Sequence, residues 1–108
     1  MASSITLQGL REALEQDRLT LLDVRRRTVY EGASDTLPGA VWRDPGEVGT
    51  WSTLLPRDTP VVVYCVHGHQ VSQGVATQLD QLGYKARYLE GGIEGWRDAG
   101  GEVEPKVL

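Results

Sequence analysis

Two stretches, "LTLLDV" (19–24) and "PVVVYC" (60–65), are short runs of almost unbroken apolar and β-branched residues. Neither alternates polar with apolar, as a strand with one wet face does. Both are therefore read as strands covered on both sides, the kind that belongs to a parallel sheet. Parallel neighbours cannot be joined by a tight turn; each pair needs a crossover, usually helical. The sequence around the two runs agrees. "AVW" (40–42) and "ARYL" (86–89) read as shorter strands, and "ITL" (5–7) as a short edge strand. In "LQGLREALEQD" (7–17), Leu7, Leu10 and Leu14 recur at helical spacing behind Thr6, a hydroxyl suited to cap the first turn. "VSQGVATQLDQLGY" (71–84) repeats the pattern with Val71, Val75, Leu79 and Leu82, and Gly83 offers a left-handed stop. "SDTLPGA" (34–40) reads as a loop entering a strand, "DPGEVG" (44–49) as a turn leading into a short helix, and "GGIEGWRDAGGEVEP" (91–105) as a turn, a short helix and a loose end. The predicted fold class is α/β, a small parallel sheet flanked by helices on both faces. With 108 residues and no internal repeat, one domain over 1–108 is expected.

Composition narrows the function. The net charge of -4, with basic residues scattered apart from Arg25, Arg26 and Arg27, leaves no electrostatic footprint for nucleic acid. No apolar stretch approaches the roughly 18 residues of a membrane span, so no membrane partner is expected. The opening "MASSITLQGL" lacks the basic and apolar regions of a secretory signal. A cytoplasmic location is the resulting expectation. Cys65 is the only cysteine, so it forms no internal disulfide and stays available as a thiol in a reducing compartment.

The chemistry concentrates in "YCVHGHQVSQG" (64–74), which holds that cysteine and both histidines. The order strand, Cys65, loop, helix delivers the thiol to the carboxyl end of a parallel strand, where open α/β sheets form their ligand crevices. With the helix starting near Ser72, the amides of the intervening loop can converge on an anion and favour the thiolate, the nucleophilic form. From Val61 through Leu79 there is no Lys, Arg, Asp or Glu. An anion here would thus lean on backbone amides and on His67 and His69 rather than on a guanidinium. Three alternatives stand beside this reading. A lone cysteine also serves as a small buried hydrophobe. "CVHGH" offers metal-ligating atoms, but their alternate spacing without a second cluster does not match structural zinc, and no metal is expected. His67 and His69 suit plain exposed loop positions equally well.

Taken together, "LLDVR" (21–25), "LPGA" (37–40), "VVVYC" (61–65), "GY" (83–84) and "LEGGIEGW" (89–96) resemble the single-domain rhodaneses, in order and in approximate spacing over nearly the whole chain. The resemblance implies a thiosulfate sulfurtransferase. Cys65 would attack the outer sulfur of a small-molecule donor such as thiosulfate, sulfite would leave, and the persulfide would pass its sulfur to cyanide, a thiol or a protein sulfur acceptor. No cofactor is implied. The substrate-binding positions are Val66, His67, Gly68, His69, Gln70, Val71 and Ser72, whose amides would hold the terminal sulfur. Asp23 and Arg25 stand either as polar supports of that loop or as an ordinary structural salt bridge. Gly91 and Gly92 suit a turn of unusual dihedrals and Trp96 a packing role; Trp42 is read as a core residue or a wall of the pocket.

The loop departs from the family pattern. Where rhodaneses often place arginines, this chain has Val66 and Gln70, and it carries one residue more, so that the loop would run from Cys65 to Val71. A longer loop resembles the phosphatases and arsenate reductases of the same fold, which close it with an oxyanion-clamping arginine; Val71 stands at that place. A phosphatase or arsenate reductase, and a non-catalytic binding module, are the alternative functions.

Overall fold

The computed structural model describes residues 3–16 and 18–106. Met1, Ala2, Asp17, Val107 and Leu108 lie outside the described residues, and with them one position of the 7–17 segment and both ends of the expected 1–108 domain. Five parallel strands form the main sheet in the order β1 (Ser3–Ile5), β6 (Ala86–Leu89), β5 (Val61–Tyr64), β2 (Thr20–Asp23) and β4 (Val41–Trp42). The two apolar runs thus pair at the centre of the sheet. Their register aligns Thr20 with Val61 and Asp23 with Tyr64, so both strands end level with each other.

The side-chain period of two explains why these runs contain no polar alternation. Val61 and Val63 enter one core cluster with Val75, Ala76 and Leu79 of α4 (Gln70–Gln81) and Trp51 of α3 (Val48–Trp51). Val62 and Tyr64 enter the opposite cluster with Leu10 of α1 (Leu7–Glu15) and with Ile93 and Trp96 of α5 (Gly92–Asp98). Helices therefore cover both faces, as expected. The caps behave as their chemistry requires. Thr6 accepts from the Gly9 amide, and Gly83, at φ +93°, closes α4 while its amide donates to the Asp80 carbonyl.

Four local expectations need correction. The first strand covers Ser3–Ile5 rather than 5–7, because Thr6 is committed to capping α1. Helix α4 starts at Gln70, two residues ahead of Ser72, so Gln70, Val71 and Ser72 form its first turn instead of belonging to the loop. A short helix, α2 (Arg27–Gly32), stands where no apolar periodicity announced one; none of its residues is buried. The end is not loose, since β7 (Glu104–Pro105) pairs antiparallel with β3 (Asp35–Thr36), inside a segment read as loop. Two-residue strands leave too little pattern to recognise.

Candidate active site

Cys65 follows the last residue of β5 at the carboxyl edge of the sheet and is 6% exposed. Four residues, Val66 to His69, connect it to α4. This connection is docked by its carbonyls. The Ile93 amide donates to the Cys65 carbonyl and the Glu94 amide to the Val66 carbonyl, each at 3.0 Å, and Gln73 takes the carbonyls of Gly68, through Nε2 at 3.0 Å, and of His69, through its amide at 3.1 Å. In a trans peptide the N–H points opposite to the C=O. The amides of Val66 and His67 therefore face away from α5. Among the described residues no protein acceptor takes any amide hydrogen of 66–72. The first three of α4 are free because a helix N-terminus leaves them so, and His69 supplies no side-chain cap.

Glycines make this docking sterically feasible. Gly68 has φ +74° and Gly92 φ +60°. A Cβ on Gly92 would lie 2.4 Å from the Val66 carbonyl oxygen, and one on Gly68 2.6 Å from that of Leu89. The turn at Gly91 and Gly92, whose positive φ values match the unusual dihedrals expected of the pair, thus packs directly against the thiol loop. Trp96 is buried and donates to the Glu102 carbonyl, which agrees with its packing role.

Ser72 is fully buried, and its Oγ lies 3.1 Å from Sγ of Cys65, the thiol donating. Once the sulfur is ionised the hydroxyl can turn and donate to it. Helix α4 runs as unbroken α-helix from Gln70 to Gln81, with Ser72 in its first turn.

A cavity of about 300 Å3 opens over the thiol, lined by Cys65, Val66, His67, His69, Gln70 and Val71 from this loop and helix. Arg25, Arg26 and Val29 complete its wall from the other side. The expectation that only amides and imidazoles face an anion here is therefore corrected. The paired register of β2 and β5, extended by the Val24 amide donating to the Tyr64 carbonyl, brings the arginines beside Cys65. Contiguity in sequence cannot show this; the triple arginine was visible, but its placement is tertiary. His67 and His69 are exposed, with ring centroids 6.1 Å apart. Among the described residues no group of three His, Cys, Asp or Glu side chains is placed to hold a metal ion. A larger opening of about 730 Å3, between Arg11 and Trp96, has Arg11 and Glu102 as its charged lining residues and lies apart from Cys65.

Asp23 and Arg25 form a buried ion pair, 1% and 2% exposed. The Arg25 Nε donates to both carboxylate oxygens and Nη2 to Oδ2 at 2.6 Å, with a further bond from Nη2 to the Asp35 carbonyl. Burial disfavours the Arg25 charge, but the hydrogen bonds and charge of Asp23 outweigh it and hold the guanidinium more firmly protonated than usual. Beside the pair, Tyr64 is fully buried and its hydroxyl accepts from the Leu37 amide. Burial, reinforced by Asp23, pushes its phenol pKa well above the ordinary range. Trp42 is neither wall nor core. It is half-buried, stacks on Tyr30 at 5.2 Å and donates to the Arg25 carbonyl.

The sequence profile of the family described as "Rhodanese-like domain" matches residues 6–99. The chain belongs to that family. Among its relatives it is 34% identical to the thiosulfate sulfurtransferase GlpE of Tolumonas auensis over 94 residues, 86% of each chain. It is also 34% identical to the putative sulfurtransferase YtwF of Bacillus subtilis over 103 residues, 94% of each chain. A rhodanese-related protein of Thermoplasma volcanium superposes with TM-score 0.81 at 28% identity, covering 94% of this chain and 97% of its own. A Rhodopseudomonas palustris protein described as a possible tyrosine phosphatase matches with TM-score 0.78 at 26% identity, covering 95% of this chain and 85% of its own. The rhodanese fold is thus shared, and the two relatives carry the names of a thiosulfate sulfurtransferase and a putative sulfurtransferase. No helix among the described residues is long and apolar enough to cross a membrane.

Proposed function

We propose that this chain is one rhodanese-like domain that acts as a thiosulfate:acceptor sulfurtransferase in the cytoplasm, with Cys65 as nucleophile and persulfide carrier. One observation carries the reading: the only thiol of a member of this family directly follows the central strand, lines a cavity and precedes seven consecutive amides that, among the described residues, no protein acceptor takes. The Cys65 thiolate attacks the outer sulfur of the donor. A bond forms between Sγ and that sulfur, the donor's S–S bond breaks, and its electron pair leaves with sulfite. The persulfide so formed is anionic at its terminal sulfur, the charge that the amides of Val66 to Ser72 and the Ser72 hydroxyl stabilise. A thiol, protein sulfur or cyanide acceptor then attacks the terminal sulfur and restores the thiolate. Asp23 and Arg25 act through the backbone, fixing the end of β2 against the loop rather than touching the donor.

Intact mass of the reduced protein, before and after thiosulfate, tests this. The expected result is gain of one sulfur atom, lost on adding cyanide and absent from Cys65→Ser. An unchanged mass with thiosulfate and with small persulfides sinks the reading. A second reading, phosphatase or arsenate reductase, is favoured by the seven-residue interval from Cys65 to the Ser72 hydroxyl and by the Rhodopseudomonas likeness. Hydrolysis of an aryl phosphate, or reduction of arsenate with added thiol, abolished in Cys65→Ser, would establish it. A pure binding module is excluded by either activity.

A further inference from the structure

Three consecutive arginines leave β2 and meet three different fates. Arg25 is buried and committed to Asp23 and the Asp35 carbonyl. Arg27 lies over the Trp42 ring, 5.0 Å from its centroid, and reaches Asp44 at 3.4 Å. Among the described residues the side chain of Arg26 makes neither an ion pair nor a hydrogen bond. It is exposed, and it lines the cavity that holds Cys65 as well as the adjoining opening over Gln70 and Val71.

We propose that Arg26 is the specificity-determining residue of this site, selecting sulfur donors whose leaving group is a sulfur oxoanion, sulfite from thiosulfate or sulfinate from thiosulfonates, by binding that group's oxygens. This rests on the sulfur-transfer reading and names its substrate class. The stem of Arg26 is fixed at its root. Its backbone is extended, at φ -57° and ψ 148°, its carbonyl accepts the Tyr30 amide at 2.8 Å, and the preceding carbonyl accepts Trp42 Nε1 at 2.8 Å. Among the described residues no carboxylate lines the cavity. Val29, Val66 and Val71 make the rest of the wall largely apolar, where a guanidinium meets less screening than on an open surface. Residues 66–71 contribute no Lys or Arg, so of the two guanidiniums lining the cavity the unengaged one, that of Arg26, reaches the site from the neighbouring strand end. In the transfer, thiolate and thiosulfate carry three negative charges between them, and persulfide and sulfite carry the same three. Charge moves from Sγ toward the departing sulfite, where a forked guanidinium stabilises it bidentately. A simple alkyl persulfide has no oxoanion, and its use does not draw on Arg26.

Two measurements on the full chain separate this from the reading beneath it. In the first, cyanide-coupled turnover is followed with thiosulfate and with mercaptoethanol persulfide. Arg26→Gln should lower the thiosulfate-to-persulfide ratio of kcat/KM by about tenfold or more, with partial recovery in Arg26→Lys, since a point charge replaces a bidentate fork. An unchanged ratio overturns the proposal. In the second, alkylation of Cys65 by iodoacetamide is timed against added sulfate at constant ionic strength. Saturable protection of the wild type that weakens about tenfold in Arg26→Gln supports the assignment even if no sulfur is ever transferred, in which case only the sulfurtransferase reading falls. Equal protection of both proteins, or of neither, removes Arg26 from the site.

Discussion

Replacing Gly92 by alanine should dismantle the seat of the thiol loop, and the structure contains its own control. Gly92 and Gly39 both lie in the left-handed region, at φ +60° and +79°. A Cβ at Gly39 meets nothing within 4 Å, whereas one at Gly92 would stand 2.4 Å from the Val66 carbonyl oxygen and 2.5 Å from that of Cys65. Both variants incur the left-handed penalty of about 1–2 kcal/mol for a residue with a Cβ. Both also share the smaller gain from stiffening the unfolded chain, which cancels in the comparison. Only Gly92→Ala has to push backbone away by about an ångström to reach ordinary van der Waals distance. That movement breaks the 3.0 Å bonds from the Ile93 and Glu94 amides to the loop carbonyls. Each is worth about 1 kcal/mol net. Gly92→Ala should therefore be about 2 kcal/mol less stable than Gly39→Ala, and about 3–4 kcal/mol less stable than wild type. Urea unfolding with unchanged m-values measures this directly. Loading of Cys65 by thiosulfate should fall in Gly92→Ala at temperatures where it remains folded, and should hold in Gly39→Ala. Equal stability of the two variants would refute the claim that close approach, rather than dihedral preference, demands glycine at 92.

Other outcomes follow from single contacts. Asp23→Asn leaves the Arg25 charge buried without its counter-ion and should cost about 3–5 kcal/mol, read by denaturant midpoint; a loss below about 1 kcal/mol would show that the pair is solvated. Ser72→Ala removes the hydroxyl at Sγ, and with a charge-assisted bond worth about 1.5–3 kcal/mol it should slow persulfide formation about ten- to a hundredfold. The same change should alter stability by only about 1 kcal/mol. Asp35 is held below the ordinary carboxylate pKa chiefly by hydrogen bonding to Arg97, against the opposing effect of burial. A depressed folded-state pKa means that this stabilisation is present above the unfolded value of about 4 and is lost as pH falls through the lower folded value. Asp35→Asn, at this partly exposed pair, should then be about 0.5–1 kcal/mol less stable at pH 7, with the difference closing below about pH 4. A gap that persists in acid would assign the loss to packing of β3 against β7.

Much of the molecule was legible in one dimension, and the reason is burial. The runs at 19–24 and 60–65 are apolar at nearly every position because they lie at the centre of a sheet covered on both faces, a constraint that few other folds impose. Thr6, Gly83, Gly91 and Gly92 could be read because capping and left-handed backbone restrict residue type through local geometry alone. The location of Cys65 followed from strand order, since a residue that closes a parallel strand must emerge at the crevice edge. The elements that escaped, β3, β7 and α2, are held by a few distant contacts and carry no period of their own. The expected start of α4 was displaced because His69, at the capping position, sends no capping signal.

Which groups surround the thiol is settled by contacts between distant segments. Residues 61–79 contain no Lys, Arg, Asp or Glu, so read along the chain the surroundings of Cys65 carry no charge beyond what His67 and His69 could supply. Register between β2 and β5 then set Arg25 and Arg26 beside a cysteine some forty positions away, buried the first with Asp23 and left the second facing the cavity. Hydrophobic period records which face of an element is buried, because burial acts on each residue separately. It records nothing about which polar group meets which, because that depends on strand order and register, properties of pairs of segments that no single segment contains.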